Sequence, residues 1–240
     1  MRRRMMSRRR LPTPAGPARI GRHHGLAYTL WLPDGEPEGA MLMVHGAGSQ
    51  KENQHDMARA ARAAGLAALC FDQRGHGESE GALGDGALDD VAAMADLLPR
   101  PLALRGSSMG GCVALAAAER TGAAAVVALC PASPPLLLRG LRAGAFSFRA
   151  DPSIEGLLVA LDLGAVVEGL EIPLLFLHAE GDERVPVADT VELHRRTRSP
   201  AKRLIVTPGG HHRSVQHDQE LQGESLRFVR KAFAATATGR

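Results

Sequence analysis

Aromatic residues are nearly absent from this chain of 240 residues. Phe, Tyr and Trp together make up 3% of it, with one Trp and one Tyr. A core must therefore be built from Ala, Leu and Val, and the abundant Ala gives helices with shallow faces. Long apolar runs are missing as well. No stretch of eighteen uninterrupted apolar residues occurs, which excludes an ordinary membrane-spanning helix. Cysteine is sparse: Cys70, Cys112 and Cys130 form an odd number, each inside an apolar run. They read as buried free thiols of a cytoplasmic protein rather than a disulfide framework. None has the close Cys/His spacing of a zinc site, so no metal is expected. No internal repeat of a solenoid kind is present.

Charge is distributed unevenly. The formal net charge is +3, yet the first ten residues, MRRRMMSRRR, carry six arginines, so the remainder is slightly acidic. No apolar run follows these arginines, so they do not read as a secretory signal. The Pro-rich LPTPAGPA that follows looks like a linker. Residues 1–18 are expected to be a basic, Pro-rich, disordered extension, and residues 19–240 one domain. A basic tail could touch nucleic acid or membrane headgroups, but a solvated extension is the simpler reading, and no nucleic-acid partner is expected.

What remains is a regular alternation. LAYTLWLPDG (26–35) ends in a Pro-Asp-Gly turn and reads as an early antiparallel strand. AMLMVHG (40–46), LAALCFD (66–72), PLALRG (101–106), AAAVVALCP (123–131), IPLLFLHAEGD (172–182) and KRLIVTP (202–208) are short apolar runs that suit strands buried on both faces. Between them lie helical segments at 53–65, 88–98, 109–122 and 187–197, and 219–233 closes the chain. Strand–helix alternation from residue 40 onward predicts an α/β fold, a mostly parallel central sheet flanked by helices. Residues 132–171 interrupt it with Pro134, Pro135 and scattered glycines. Its apolar stretch 154–170 looks helical, and the segment reads as a small insertion.

In LALRGSSMGGCV (102–113) a strand meets a glycine-bounded break and then a helix. Gly106-Ser107-Ser108-Met109-Gly110 fits the G-x-S-x-G turn, on which a nucleophilic serine stands in strained backbone and needs small residues two before and two after. Centring on Ser107 would put Arg105 and Met109 at those positions. Centring on Ser108 puts Gly106 and Gly110 there, and the helix N-terminus beyond favours developing negative charge. The loop is not G-x-x-x-x-G-K-[ST], which excludes the P-loop.

A serine nucleophile needs a base, and the base an orienting carboxylate, all from loops at the C-terminal ends of the strands. FLHAEGDERVP (176–186) offers Asp182, with Glu180 and Glu183 as competitors. Asp182 is preferred because it directly precedes the Glu-Arg-Val-Pro run into the next helix. VTPGGHHRS (207–214) offers His211 and His212, with His212 favoured and His211 the alternative. Backbone N–H donors for an oxyanion, worth about 3 to 4 kcal/mol each, would be Met109, after the nucleophile, and Ala47 in the loop HGAGS (45–49). A lone Gly-Asp turn, a pair of loop histidines or a His-Gly turn is usually only a turn. Together, after the right strands, they point to acyl chemistry.

HGAGS (45–49), FDQRGHGES (71–79), GSSMGG (106–111), HAEGDERVP (178–186) and PGGHH (208–212) together resemble the α/β-hydrolase superfamily, in the branch of serine aminopeptidase-like and monoacylglycerol-lipase-like hydrolases. The order Ser, Asp, His is the family's. The resemblance covers about residues 26–235 and implies Ser108 as nucleophile, Asp182 as orienting acid, His212 as base, and Ala47 and Met109 as oxyanion donors, with no cofactor. Asp72, Arg74, Gly75, Gly77 and Ser79 match the family's D-x-R-G-x-G-x-S turn, a structural element. Residues 132–171 would correspond to its lid, short and Leu-rich here. The small Ala47 leaves the acyl pocket open on that side, and the short lid suggests a small or medium acyl group rather than a large lipid, cleaved as an ester. Peptidase, C–C bond hydrolase or cofactor-free haloperoxidase chemistry, or ligand binding without catalysis, are the alternatives on the same fold.

Overall fold

The computed structural model of the chain describes residues 16–238; residues 1–15, on which most of the expected extension falls, lie outside them. Eight strands form one sheet: β1 (Arg19–His23), β2 (Leu26–Trp31), β3 (Ala40–Val44), β4 (Ala67–Phe71), β5 (Leu102–Ser107), β6 (Ala125–Leu129), β7 (Leu174–Ala179) and β8 (Lys202–Thr207). Their spatial order is β1-β2-β4-β3-β5-β6-β7-β8. β1 and β2 are antiparallel to their neighbours, and β4, β3, β5, β6, β7 and β8 run parallel. The central strands are buried on both faces, as their continuous apolar sequences require. Along β3, Ala40, Leu42 and Val44 enter one core layer. Met41 and Met43 enter the other.

The helices are α1 (His55–Ala63), α2 (Ala87–Ala95), α3 (Met109–Ala117), α4 (Pro134–Arg142), α5 (Ser153–Ala160), α6 (Leu163–Gly169), α7 (Val187–Arg196), α8 (Ser214–His217) and α9 (Gln219–Thr238). α1 and α9 cover the Met41 face, while α2, α3 and the helices of residues 134–169 cover the other. α1 ends where the sequence suggests, with Gly65 at φ +84° just past it, the left-handed conformation common after a helix C-terminus.

Three details differ from the sequence reading or refine it. The early antiparallel strand is a hairpin of two strands, joined by His24 and Gly25, both at positive φ, as a tight type I′ turn demands. β1 went unread because RIGRH is an exposed edge strand with little apolar content. The helical reading of 154–170 left its division open, and the structure makes it two helices: the chain turns at Leu161–Asp162, and Asp162 Oδ1 accepts the Ala165 N–H at 2.9 Å to cap α6. Pro134 and Pro135, read as breakers, instead start a helix, where a missing N–H costs nothing. Among the described residues, no helix is long and apolar enough to cross a membrane.

Candidate active site

β5 runs into α3 through a single strained residue. Ser108 has φ 57° and ψ −118°, a region that a non-glycine residue occupies only when its surroundings hold it there. Those surroundings are visible. Its N–H donates to the Leu129 carbonyl at 2.8 Å, and its carbonyl accepts from Gly111, Cys112 and Ala132. A Cβ at Gly106 would lie 2.0 Å from the Gly110 carbonyl oxygen, and one at Gly110 would lie 2.1 Å from that of Val44. Both glycines are thus sterically required, which is why the spacing picks Ser108 over Ser107. Ser107 stays within β5, opposite Leu129.

The loop after β3 lies against this turn: a Cβ on Gly46 would meet the Ser107 carbonyl at 3.1 Å and Ser108 Cβ at 3.3 Å. His45 fixes the loop. It is fully buried, its Nε2 accepts the Gln73 N–H at 3.0 Å, and its Nδ1–H therefore donates to the Gly46 carbonyl at 2.8 Å. The Gln73 amide returns a bond to the His45 carbonyl at 2.6 Å. Burial, reinforced by neighbouring His76, pushes the His45 pKa down to about 4, so the ring is a neutral strut. Among the described residues, no protein acceptor takes the N–H of Ala47 or Met109.

The Asp72–Ser79 turn braces the same loop from behind. Asp72, wholly buried, accepts from the Lys51 backbone (2.7 Å), the Lys51 ammonium (2.9 Å) and the Glu78 N–H (2.9 Å). Burial alone would lower the Lys51 pKa, but Glu78, Glu52 and Asp72 hold it above the usual lysine value. A side chain at Gly77 would strike the Asp72 carboxylate.

Asp182 and His212 meet on the far side. Asp182 has a side chain without exposed surface; its Oδ2 receives the His212 Nδ1–H at 2.7 Å. Its Oδ1 accepts the N–H groups of Arg184 (2.8 Å) and Val185 (2.9 Å). Burial would raise this carboxyl, but the Val185 N–H, His212 and the Arg184 N–H outweigh it and keep the pKa below the usual value. The pairing separates the two candidate histidines. His211 is exposed, and its backbone is tied to Ser214 instead. It also separates the carboxylates: Glu180 is exposed, and Glu183 accepts the His212 backbone N–H at 3.0 Å.

Neither that Glu183 contact nor the place of His178 has a signature in the sequence. The buried His178 donates from Nε2 to the Val185 carbonyl (3.0 Å), accepts at Nδ1 from Thr190 Oγ1 (2.7 Å), and lies 3.4 Å from Asp182 Oδ2. Its place in HAEGD signals the carboxylate, not a second histidine beside it. Cys130, Asp182 and His212 have donor atoms within 4.8 Å of one another, spacing a metal could use, yet the Asp182 and His212 atoms already bond each other. Burial holds the Cys130 thiol pKa well above its usual value.

Ser108, His212 and Ala47 line one open cavity of about 630 Å³, roofed on one side by α4 and the segment after it. It can admit a small organic ester with its carbonyl beside Ser108. The sequence profile of the family described as "Serine aminopeptidase, S33" matches residues 35–144, which include HGAGS and the Ser108 turn and stop before Asp182. The chain is 28% identical to a Mycolicibacterium smegmatis monoacylglycerol lipase, over 78% of this chain and 85% of that one. It is 33% identical to human monoglyceride lipase over 57% of this chain and 48% of that one. Among solved structures, Est1E from Butyrivibrio proteoclasticus superposes with a TM-score of 0.73 at 20% identity, over 91% of this chain and all of that one.

Proposed function

The chain belongs to the α/β-hydrolase superfamily as a serine hydrolase, and from that premise we propose that it cleaves carboxylic esters of small or medium size through an acyl-enzyme. Ser108 Oγ attacks the ester carbonyl while His212 Nε2 takes its proton. Asp182 keeps the other ring proton on Nδ1 and stabilises the imidazolium. The oxyanion lies between the N–H groups of Ala47 and Met109. The His212 proton then goes to the leaving alcohol, and a water, deprotonated in the same way, releases the acid and restores Ser108.

The observation that carries this reading is the 2.7 Å Asp182–His212 bond in a cavity shared with a strained Ser108. The walls support that substrate size. Behind the open cavity, Met109, Leu137, Phe146 and Leu158 close on a void of only about 20 Å³, so an acyl chain pointing that way must be short. Residues 132–171 act as the lid over this space. Three buried free thiols suit a reducing, cytoplasmic setting.

The test is hydrolysis of 4-nitrophenyl acetate and butyrate by the wild type and Ser108→Ala, alongside labelling by a fluorophosphonate. The wild type should turn over and label, and the variant should do neither. Equal rates, or an unlabelled wild type, would favour a ligand-binding protein on the same fold.

A further inference from the structure

The wall of the Ser108 cavity is uneven in charge. Leu136, Leu137 and Phe146 give it an apolar side, while Arg139, Arg184 and Arg213 line it as well, and no aspartate or glutamate does. The three come from separate places: Arg139 from α4, Arg184 two residues after Asp182, and Arg213 next to His212. They also stand against the background charge. Net charge is +3 with six arginines in residues 1–10 and no other charged side chain there, so residues 11–240 sum to 3 − 6 = −3.

Elsewhere on the surface many arginines have carboxylates, although, among the described residues, Arg19, Arg59, Arg149 and Arg198 do not. Arg142 pairs with Glu155, Arg195 with Glu192, Arg196 with Glu168 and Arg203 with Glu224. In the cavity Arg139 and Arg213 do not. Among the described residues, neither the Arg139 nor the Arg213 side chain has an ion pair or hydrogen bond. Arg184 meets only Glu183, at 3.5 Å, and the other oxygen of Glu183 is held by the His212 N–H. His217, also at the wall, bonds Asp56 at 2.8 Å.

Guanidinium groups bind carboxylate and phosphate oxygens in paired, directional hydrogen bonds. A cleft walled by one sign of charge also concentrates the oppositely charged substrate. A neutral ester would leave Arg139 and Arg213 with no counter-ion, and Arg184 with only the distant Glu183; an anionic ester supplies one. Building on the esterase reading above, we propose that the substrate is an ester carrying a carboxylate or phosphate on its non-reacting part, held by Arg139, Arg184 and Arg213. The reaction is unchanged: the ester C–O bond breaks, water gives its OH to the acyl carbon and its H to the alcohol, and the anion is not altered.

Two substrate pairs test this and distinguish the source of the charge. Mono-4-nitrophenyl adipate against 4-nitrophenyl hexanoate places a carboxylate on the acyl side. Butyrylglycerol phosphate against monobutyrin places a phosphate on the alcohol side. At low ionic strength the anionic member of at least one pair should have the higher kcat/KM, by about tenfold or more. That ratio should shrink several-fold in 0.5 M NaCl, where screening is nearly complete beyond a few ångströms, and again in the double variant Arg139→Gln/Arg213→Gln. Neutral members equal or preferred in both pairs, with normal hydrolysis, would overturn the charge proposal and leave the esterase reading standing. No turnover of any ester, with Ser108 unlabelled, would overturn the esterase reading instead. Calorimetry with monohexyl adipate then decides the charge proposal: binding weakened by salt and by the double variant supports it, and no binding overturns it.

Discussion

His212 Nδ1 lies 2.7 Å from Asp182 Oδ2, and the second oxygen of Asp182 is already taken by the N–H groups of Arg184 and Val185. This sharing predicts the effect of Asp182→Asn. The amide oxygen must keep the two backbone N–H donors, which turns the NH2 toward His212. Nδ1 would then have to accept, the ring proton would move to Nε2, and Nε2 could no longer take the proton of Ser108. The variant should fold normally by circular dichroism and lose about 10³- to 10⁴-fold in kcat. A loss under tenfold would remove Asp182 from the mechanism.

The strut at His45 makes folding sensitive to mild acid. Its pKa falls to about 4 through burial, whereas in the unfolded chain it is near 6.5. Between those values the unfolded state holds the extra proton, so stability rises with pH and is lost as pH falls from 6.5 to 4, by on the order of 3 kcal/mol. The lowered values of His76 and His178 act in the same direction. The lowered carboxyl of Asp182 acts further down, its contribution fading as pH falls through the depressed value. Urea midpoints at pH 7.5 and 5 should therefore fall further apart for the wild type than for His45→Gln. Parallel shifts would show that His45 is not the group responsible.

The glycines of the Ser108 turn are not equivalent. At Gly110 a methyl would lie 2.1 Å from a main-chain oxygen of β3 that cannot move away; at Gly111 its nearest neighbours would be Pro131 at 3.1 Å and the Gly106 carbonyl oxygen at 3.3 Å. Gly110→Ala should cost several kcal/mol, at or beyond the upper end of ordinary overpacking, and Gly111→Ala about 1. With about 2–4 °C per kcal/mol for a domain of this size, thermal melts will separate them. Equal melting temperatures would mean that the turn relaxes.

The parallel strands were legible because each buries both faces and so reads as an unbroken apolar run, and Ser108 because sterics fix its flanking glycines. Asp182 was legible from its turn and from the strand that precedes it. The choice between His211 and His212 was not, since it depends on which ring reaches a carboxylate thirty residues away. Arg105 was equally hidden. It is buried in β5, held by the Gln54 side chain and the Gln216 carbonyl, and desolvation lowers its pKa to about 10. A lone charge in an apolar run carries no sign of such distant partners. The edge strand β1 and the helix begun by Pro134 were missed because short polar or proline-bearing segments take their structure from neighbours rather than from pattern.

The thiols should be silent in the folded protein. Burial pushes Cys112 up to about 12 and Cys70 and Cys130 higher still. Thiolate, the reactive form, is therefore scarce at neutral pH. A colorimetric disulfide reagent at pH 8 should titrate none of the three within minutes, and all three after denaturation. Rapid labelling of Cys130, which lies beside Asp182 and His212, would indicate that the site opens.

Glu183 and His211 differ in what they do for His212. The His211 ring is exposed and meets only the Arg213 N–H, at 3.3 Å, so His211→Ala should keep activity within a few-fold, while His212→Ala should lose nearly all of it. Glu183 holds the His212 backbone N–H from outside the cavity, which makes it a positioning residue. Removing its carboxylate frees the main chain beside the base without touching substrate, so kcat should fall and KM should stay nearly constant. Because the contact is solvent-exposed, the fall in Glu183→Ala should be modest, about three- to tenfold. Glu183→Gln keeps a carbonyl that can accept the same N–H, and should recover most of that loss. Equal rates for the Ala and Gln variants would mean that the hydrogen bond does not position His212, and a rise in KM alone would place Glu183 among the groups that meet the substrate.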